Sequence, residues 1–166
     1  MKKLIILFLI SSSLFSQEVE NFKIVNNSVI WETEIPTETS IEDLLKKLKL
    51  SGNFTNLEII DGTLIGNLID HDIDYKSLGH AYMHTDMYVT IYRYSAFLSI
   101  QKSENEYQIK FKKIEATPTV KNYFVDVNNA IGIETIVLRK KNSEFHKRFI
   151  TKNAFIFNTT FLKLFN

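Results

Sequence analysis

Between Asp70 and Asp86 the chain gathers Asp70, His71, Asp72, Asp74, His80, His84 and Asp86. Imidazole nitrogens and carboxylate oxygens are the ligand types that suit zinc or manganese. His71, His80, His84 and Asp86 are therefore the candidate ligands. Their spacing argues the other way. Ala81, Tyr82 and Met83 fill the gap between His80 and His84, so the glutamate base of an H-E-x-x-H metalloprotease has no place. No ordered zinc-finger spacing is present either, and a solvated polar loop yields such a cluster by composition alone. No metal is assigned.

Two further groups carry chemical potential. Tyr82, Tyr88, Tyr92 and Tyr94 could form an aromatic strip for stacking on a sugar or a peptide, although tyrosine is favoured in strands for packing reasons. Arg139-Lys140-Lys141 with Lys147, Arg148 and Lys152 form a basic stretch that could meet an anionic surface. The plainer account is the solvated face of an amphipathic helix. For covalent catalysis there is no G-x-S-x-G and no cysteine, and neither the G-x-G-x-x-G nor the P-loop pattern occurs. No catalytic residue and no cofactor is assigned.

Composition sets the frame for these groups. Lys2 and Lys3 precede the apolar run Leu4–Ile10, then serines lead to Ser16 and Gln17. That is the pattern of a secretory signal peptide over residues 1–16, and the run is shorter than the roughly 20 residues of a membrane span. Without Lys2 and Lys3 the 20 basic side chains become 18, against 19 acidic ones, a formal charge of −1. Such balance argues against a nucleic-acid binder. With no cysteine to staple the chain, stability must come from packing. Residues 17–166 suffice for one domain with a sizeable core. The 13 phenylalanines go with an excess of Lys, Asn and Ile and are read as compositional bias.

The elements follow from periodicity. Val29, Trp31, Thr33 and Ile35 alternate with Glu32 and Glu34, a half-buried strand that Pro36 ends. Ser40 caps a helix with Asp43 three residues on. Ile41, Leu44, Leu45 and Leu48 form its apolar stripe, and Gly52 closes it. Phe54–Ile60 and Thr63–Asp70 flank Asp61-Gly62, a strong hairpin signal, and Gly66 implies a bulge or close packing. His71–Met87 reads as a loop, Tyr88–Lys102 as strand, Ser103–Asn105 as turn, and Tyr107–Lys112 as a half-buried strand. Tyr123–Val127 could add a short strand. A last helix is expected from Asn142-Ser143. Phe145, Phe149, Ile150, Ala154, Ile156, Phe157, Phe161, Leu164 and Phe165 fill its apolar arc, while Lys147, Arg148, Thr151, Lys152 and Asn158 take the other side. The order is strand, helix, four strands, long helix.

That order, carried by Ile30–Leu48, Gly62–Gly66, Ala96–Ile100 with Tyr107–Ile114, and the tail Phe145–Phe165, resembles a family of secreted bacterial domains of unknown function. Those domains are described as having a TATA-binding-protein-like (TBP-like) fold. The resemblance implies β-α-β4-α topology and export. It brings no established activity, and the name of the fold implies no DNA binding, because function lives in sites.

The sequence thus predicts an α+β chain with an antiparallel sheet and two helices packed on one face. The core spans about residues 29–114 and the last helix about 143–165. The expected role is a non-catalytic binding or interaction module of the cell envelope, periplasmic or extracellular. It has no nucleic-acid partner and no transmembrane span in the mature chain, and its partner is an envelope protein or a small ligand. Two other roles are a carrier of a small hydrophobic ligand, with a cavity between the last helix and the sheet, and a metal-dependent hydrolase built on the His/Asp cluster. Intact mass of the protein from its native host should match a chain beginning at Gln17. Retention of Met1–Ser16 would overturn the export expectation.

Overall fold

A computed structural model describes residues 18–120, 129–139 and 143–166. The strand β3 (Ser28–Pro36) and the helix α1 (Ile41–Ser51) form as the local signals dictate. Val29 and Trp31 are buried, and Ser40 accepts from the Asp43 N–H at 3.1 Å. Ile41, Leu44 and Leu48 face the core, and Gly52 takes the left-handed conformation (φ 71°) that ends the helix. Two short strands, β1 (Glu18–Val19) and β2 (Phe22–Val25), precede β3. β4 (Phe54–Ile60), β5 (Thr63–Asp72), β6 (Tyr92–Lys102) and β7 (Glu106–Pro118) follow α1. The sheet order is β1-β2-β3-β7-β6-β5-β4 with every neighbour antiparallel, and β8 (Ile131–Gly132) adds to β7.

Turn chemistry sets the register. Asp61 (φ 48°) and Gly62 (φ 75°) make a two-residue hairpin turn that opposes Ile60 to Thr63. Gly66 keeps its place because Leu57, thrown onto it by a bulge between Thr55 and Glu58, would stand 2.6 Å from an added Cβ. Register shifts also fall between Leu68 and His71 and between Ser95 and Phe97, so β4 to β7 are all bent near one end.

Two expectations need correction. Tyr88–Lys102 is not one strand. Met87–Thr90 is a helical turn (α2), closed by the Ile91 N–H donating to the Met87 carbonyl at 2.9 Å, and β6 begins at Tyr92. After α3 (Glu134–Val137), the chain from Ser143 does not start the last helix. Glu144–Phe145 (β10) pairs with Leu138–Arg139 (β9), which lets Phe145 and Leu138 both be buried. The last helix enters through a π turn at Phe149–Asn153 and continues as α4 (Ala154–Lys163). The strand expected at Tyr123–Val127 lies outside the described residues.

Phenylalanine builds the core. α1 and α4 lie on the same face of the sheet, and the Lys47 ammonium donates to the Phe165 carbonyl at 3.0 Å. Trp31 stacks on Phe111 at 5.4 Å, and Phe161 meets both edge-on at 5.5 and 5.1 Å. Phe22, Phe149 and Phe157 extend the cluster along the helix. Each such pair adds about 0.5–1.5 kcal/mol beyond area burial. Phe161→Ala should therefore cost about 3–5 kcal/mol. Lys147→Ala, on the exposed flank, should stay within about 0.5 kcal/mol of wild type. Urea unfolding separates the two, and equal mildness would mean that α4 is not part of the core.

Candidate functional site

The π turn governs what the last helix shows to either side. The Ala154 N–H reaches back to the Phe149 carbonyl, so one extra residue is accommodated and the helix is re-phased beyond it. The sequence reading puts Asn158 on the polar side of the helix. In the structure Asn158 is buried, with Asn153 and Thr160, and Phe155 and Ile150 point outward.

Each buried polar side chain of this helix holds a different element. Asn158 Oδ1 accepts from Trp31 Nε1 and from Asn21 Nδ2, both at 2.9 Å. Thr160 Oγ1 accepts from the Asp74 N–H at 3.1 Å and donates to the Ile156 carbonyl at 2.9 Å. Asn153 Nδ2 donates to Asp86 Oδ2 at 2.6 Å and to the Tyr88 hydroxyl. Asp86 also pairs with Arg148 at 2.8 Å. Burial pushes the Tyr88 phenol up to about 12, so it stays protonated. Among the described residues no buried side-chain nitrogen or oxygen lacks a partner. These contacts were not legible as motifs. Their only sequence signal is polar residues inside an apolar helical run.

The π turn, with Asn153 that bonds Asp86, borders a groove of about 480 Å³ lined by His80, His84, Thr85, Thr151, Lys152, Asn153, Phe155 and Ile156. Two of the candidate ligands, His80 and His84, thus share one concavity, across the short 3₁₀ turn Tyr82–His84. Large apolar side chains stand in solvent around it. Met83 is 90% exposed, Tyr82 and Met87 58%, and Phe155 52%.

The remaining candidates go elsewhere. His71 lies on β5, beside a second groove of about 300 Å³ shared with Asp72, Asp74, Thr160 and Lys163, and burial lowers its pKa. Asp86 is engaged by Arg148 and Asn153. Among the described residues no three His, Asp or Glu converge to hold a metal ion. The tyrosine strip does not form: Tyr94 is fully buried and its hydroxyl donates to the Tyr88 carbonyl at 2.5 Å. Tyr88 belongs to α2, Tyr92 is half-buried, and Tyr82 remains on the surface. The space between the last helix and the sheet, where a carrier would hold its ligand, is packed with the rings of Phe22, Trp31, Phe111, Phe157 and Phe161. Lys140 and Lys141 of the basic stretch lie outside the described residues. Arg139 pairs with Glu144 at 3.1 Å.

Asp74 serves as a clip. Lys163 donates to its carboxylate at 2.7 Å and Ser77 Oγ at 2.5 Å, and the pKa falls from 3.8 to about 2. The folded state thus holds the carboxylate charged where the unfolded chain would bind a proton, which stabilises it fully above about pH 4. That contribution fades as pH falls from about 4 to 2. It is small, because Asp74 is partly exposed and screened. Urea midpoints of wild type and Asp74→Asn should differ at pH 5 and converge near pH 2. An undiminished gap at pH 2 would refute the clip's charge dependence.

No family model and no curated protein matches this chain. Among solved structures it is similar to a TBP-like protein from Parabacteroides distasonis. The two are 13% identical over 85% of this chain and 92% of that one, with a TM-score of 0.48. It is also similar to a DUF4468 family protein from Bacteroides ovatus, 11% identical over 84% of this chain and 80% of that one, with a TM-score of 0.42.

Proposed function

We propose that this chain is an exported, non-catalytic binding module of the cell envelope whose recognition surface is the groove between the Tyr82–His84 turn and the π turn. The apolar side chains around that groove support the reading. Single exposed apolar residues are ordinary on any surface. Four large ones grouped about one concavity mark an interaction site, in a chain that packs most of its aromatic rings inside. The signal-like segment of residues 1–16 supplies the envelope part of the proposal.

Photo-crosslinking in the native host tests it. A photoreactive residue at Met83 or Phe155 should yield adducts with envelope components, and one at Lys112, exposed on β7, should not. Equal labelling from Lys112, or a cytoplasmic product, would overturn the proposal.

A further inference from the structure

The groove is rimmed by positive charge as well as apolar bulk. Lys152 lines it. Arg148, one turn back on the same helix, keeps 62% of its side chain exposed despite its pair with Asp86, whose own side chain is only 12% exposed. Lys147 beside it is exposed as well. Among the described residues no carboxylate lines the groove, and Asp86, which bonds to the lining Asn153, is already neutralised by Arg148.

The apolar members are of a particular kind. Met83 stands on a short turn and is almost wholly in solvent. With Met87 it offers a flexible, unbranched thioether that conforms to irregular or fluid surroundings. Tyr82 has an apolar ring with a polar tip, the side-chain type that settles at the water–lipid boundary. A folded partner would have to present a cavity shaped around each protruding side chain. A bilayer interface accepts them without complementary shape, while its phosphates meet the cations.

We propose that this face docks on an anionic phospholipid surface. Tyr82, Met83, Met87 and Phe155 enter the headgroup–acyl boundary, and Lys147, Arg148 and Lys152 meet the phosphates. The inference names the partner of the binding module proposed above and rests on that reading. It requires no spanning segment, and no helix among the described residues is long and apolar enough to cross a membrane.

Vesicle flotation of the protein isolated from its host is the test. The protein should float with vesicles of phosphatidylcholine plus phosphatidylglycerol at low salt, and much less with phosphatidylcholine alone. Raised salt should release it. Met83→Ser combined with Phe155→Ser should lower the bound fraction about tenfold or more. Lys152→Gln should reduce the preference for phosphatidylglycerol. Ile60→Ser, which removes an exposed apolar residue from the sheet edge at β4, should change nothing. All these positions are exposed, and unchanged urea midpoints certify the fold. Failure of the wild type to float, or equal losses from Ile60→Ser and the Met83/Phe155 pair, overturns the lipid proposal. Protein adducts from Met83 or Phe155 would then leave the binding module standing with a protein partner. Their absence as well would remove both.

Discussion

Trp31 brings an indole N–H into a core made of phenyl rings, and Asn158 supplies the acceptor it requires, 2.9 Å away. A donor buried without a partner costs about 1–3 kcal/mol, so this single bond restricts where the last helix can lie. Ring packing alone would tolerate some sliding and rotation of α4 over the sheet. A directional bond to one indole does not. Because Asn158 also accepts from Asn21, the N-terminal turn between β1 and β2 is tied to the same point. The position of Phe157 and Phe161 against Trp31 and Phe111 follows, and so does the outward aim of Phe155.

Local order was legible where several short-range signals coincide. In β3 and α1 the alternation, Pro36, the Ser40 cap and Gly52 all specify the same outcome, and the structure reproduces each. The β4–β5 hairpin was legible for the same reason. The last helix was legible in its phase as well: eight of the nine residues of its apolar arc are buried, Ile150 being the exception. Asn158 was placed in water for its polarity, when it is the acceptor for Trp31. Likewise α2 reads as strand from Tyr88-Val89, since the contact that makes it a turn comes from Asn153, 65 residues away. His80 and His84 were singled out for ligand chemistry. The structure gives them a shared groove without a third ligand beside them.

Among the described residues the sheet is covered on one face only. Its other face carries Lys23, Glu32 and Lys110, with Lys110–Glu32 at 2.8 Å and Lys23–Glu32 at 3.8 Å. Alternating polar residues in β3 and β7 leave that surface with water as its natural neighbour. At the open edge, β4 is interrupted by its own bulge at Asn56 (φ 53°), which shortens the regular row of unpaired backbone groups. A group of large exposed apolar side chains, Tyr82, Met83, Met87 and Phe155, lies off the sheet, on the short turns and the last helix.

The tie between Asn158 and the first strands has a kinetic side. Trp31 and Asn158 are separated by 127 positions and Asn21 and Asn158 by 137. Strands β3 and β7 are neighbours in the sheet although α1, β4, β5 and β6 intervene in sequence. A core of such high contact order cannot close until α4 is free to dock, and folding of this kind is slow. Any truncation that removes the last helix leaves Trp31, Phe22 and Phe111 without their lid. A chain in which residues 154–163 have not yet been made keeps these rings uncovered, and exposed rings of that size invite aggregation or capture by a chaperone.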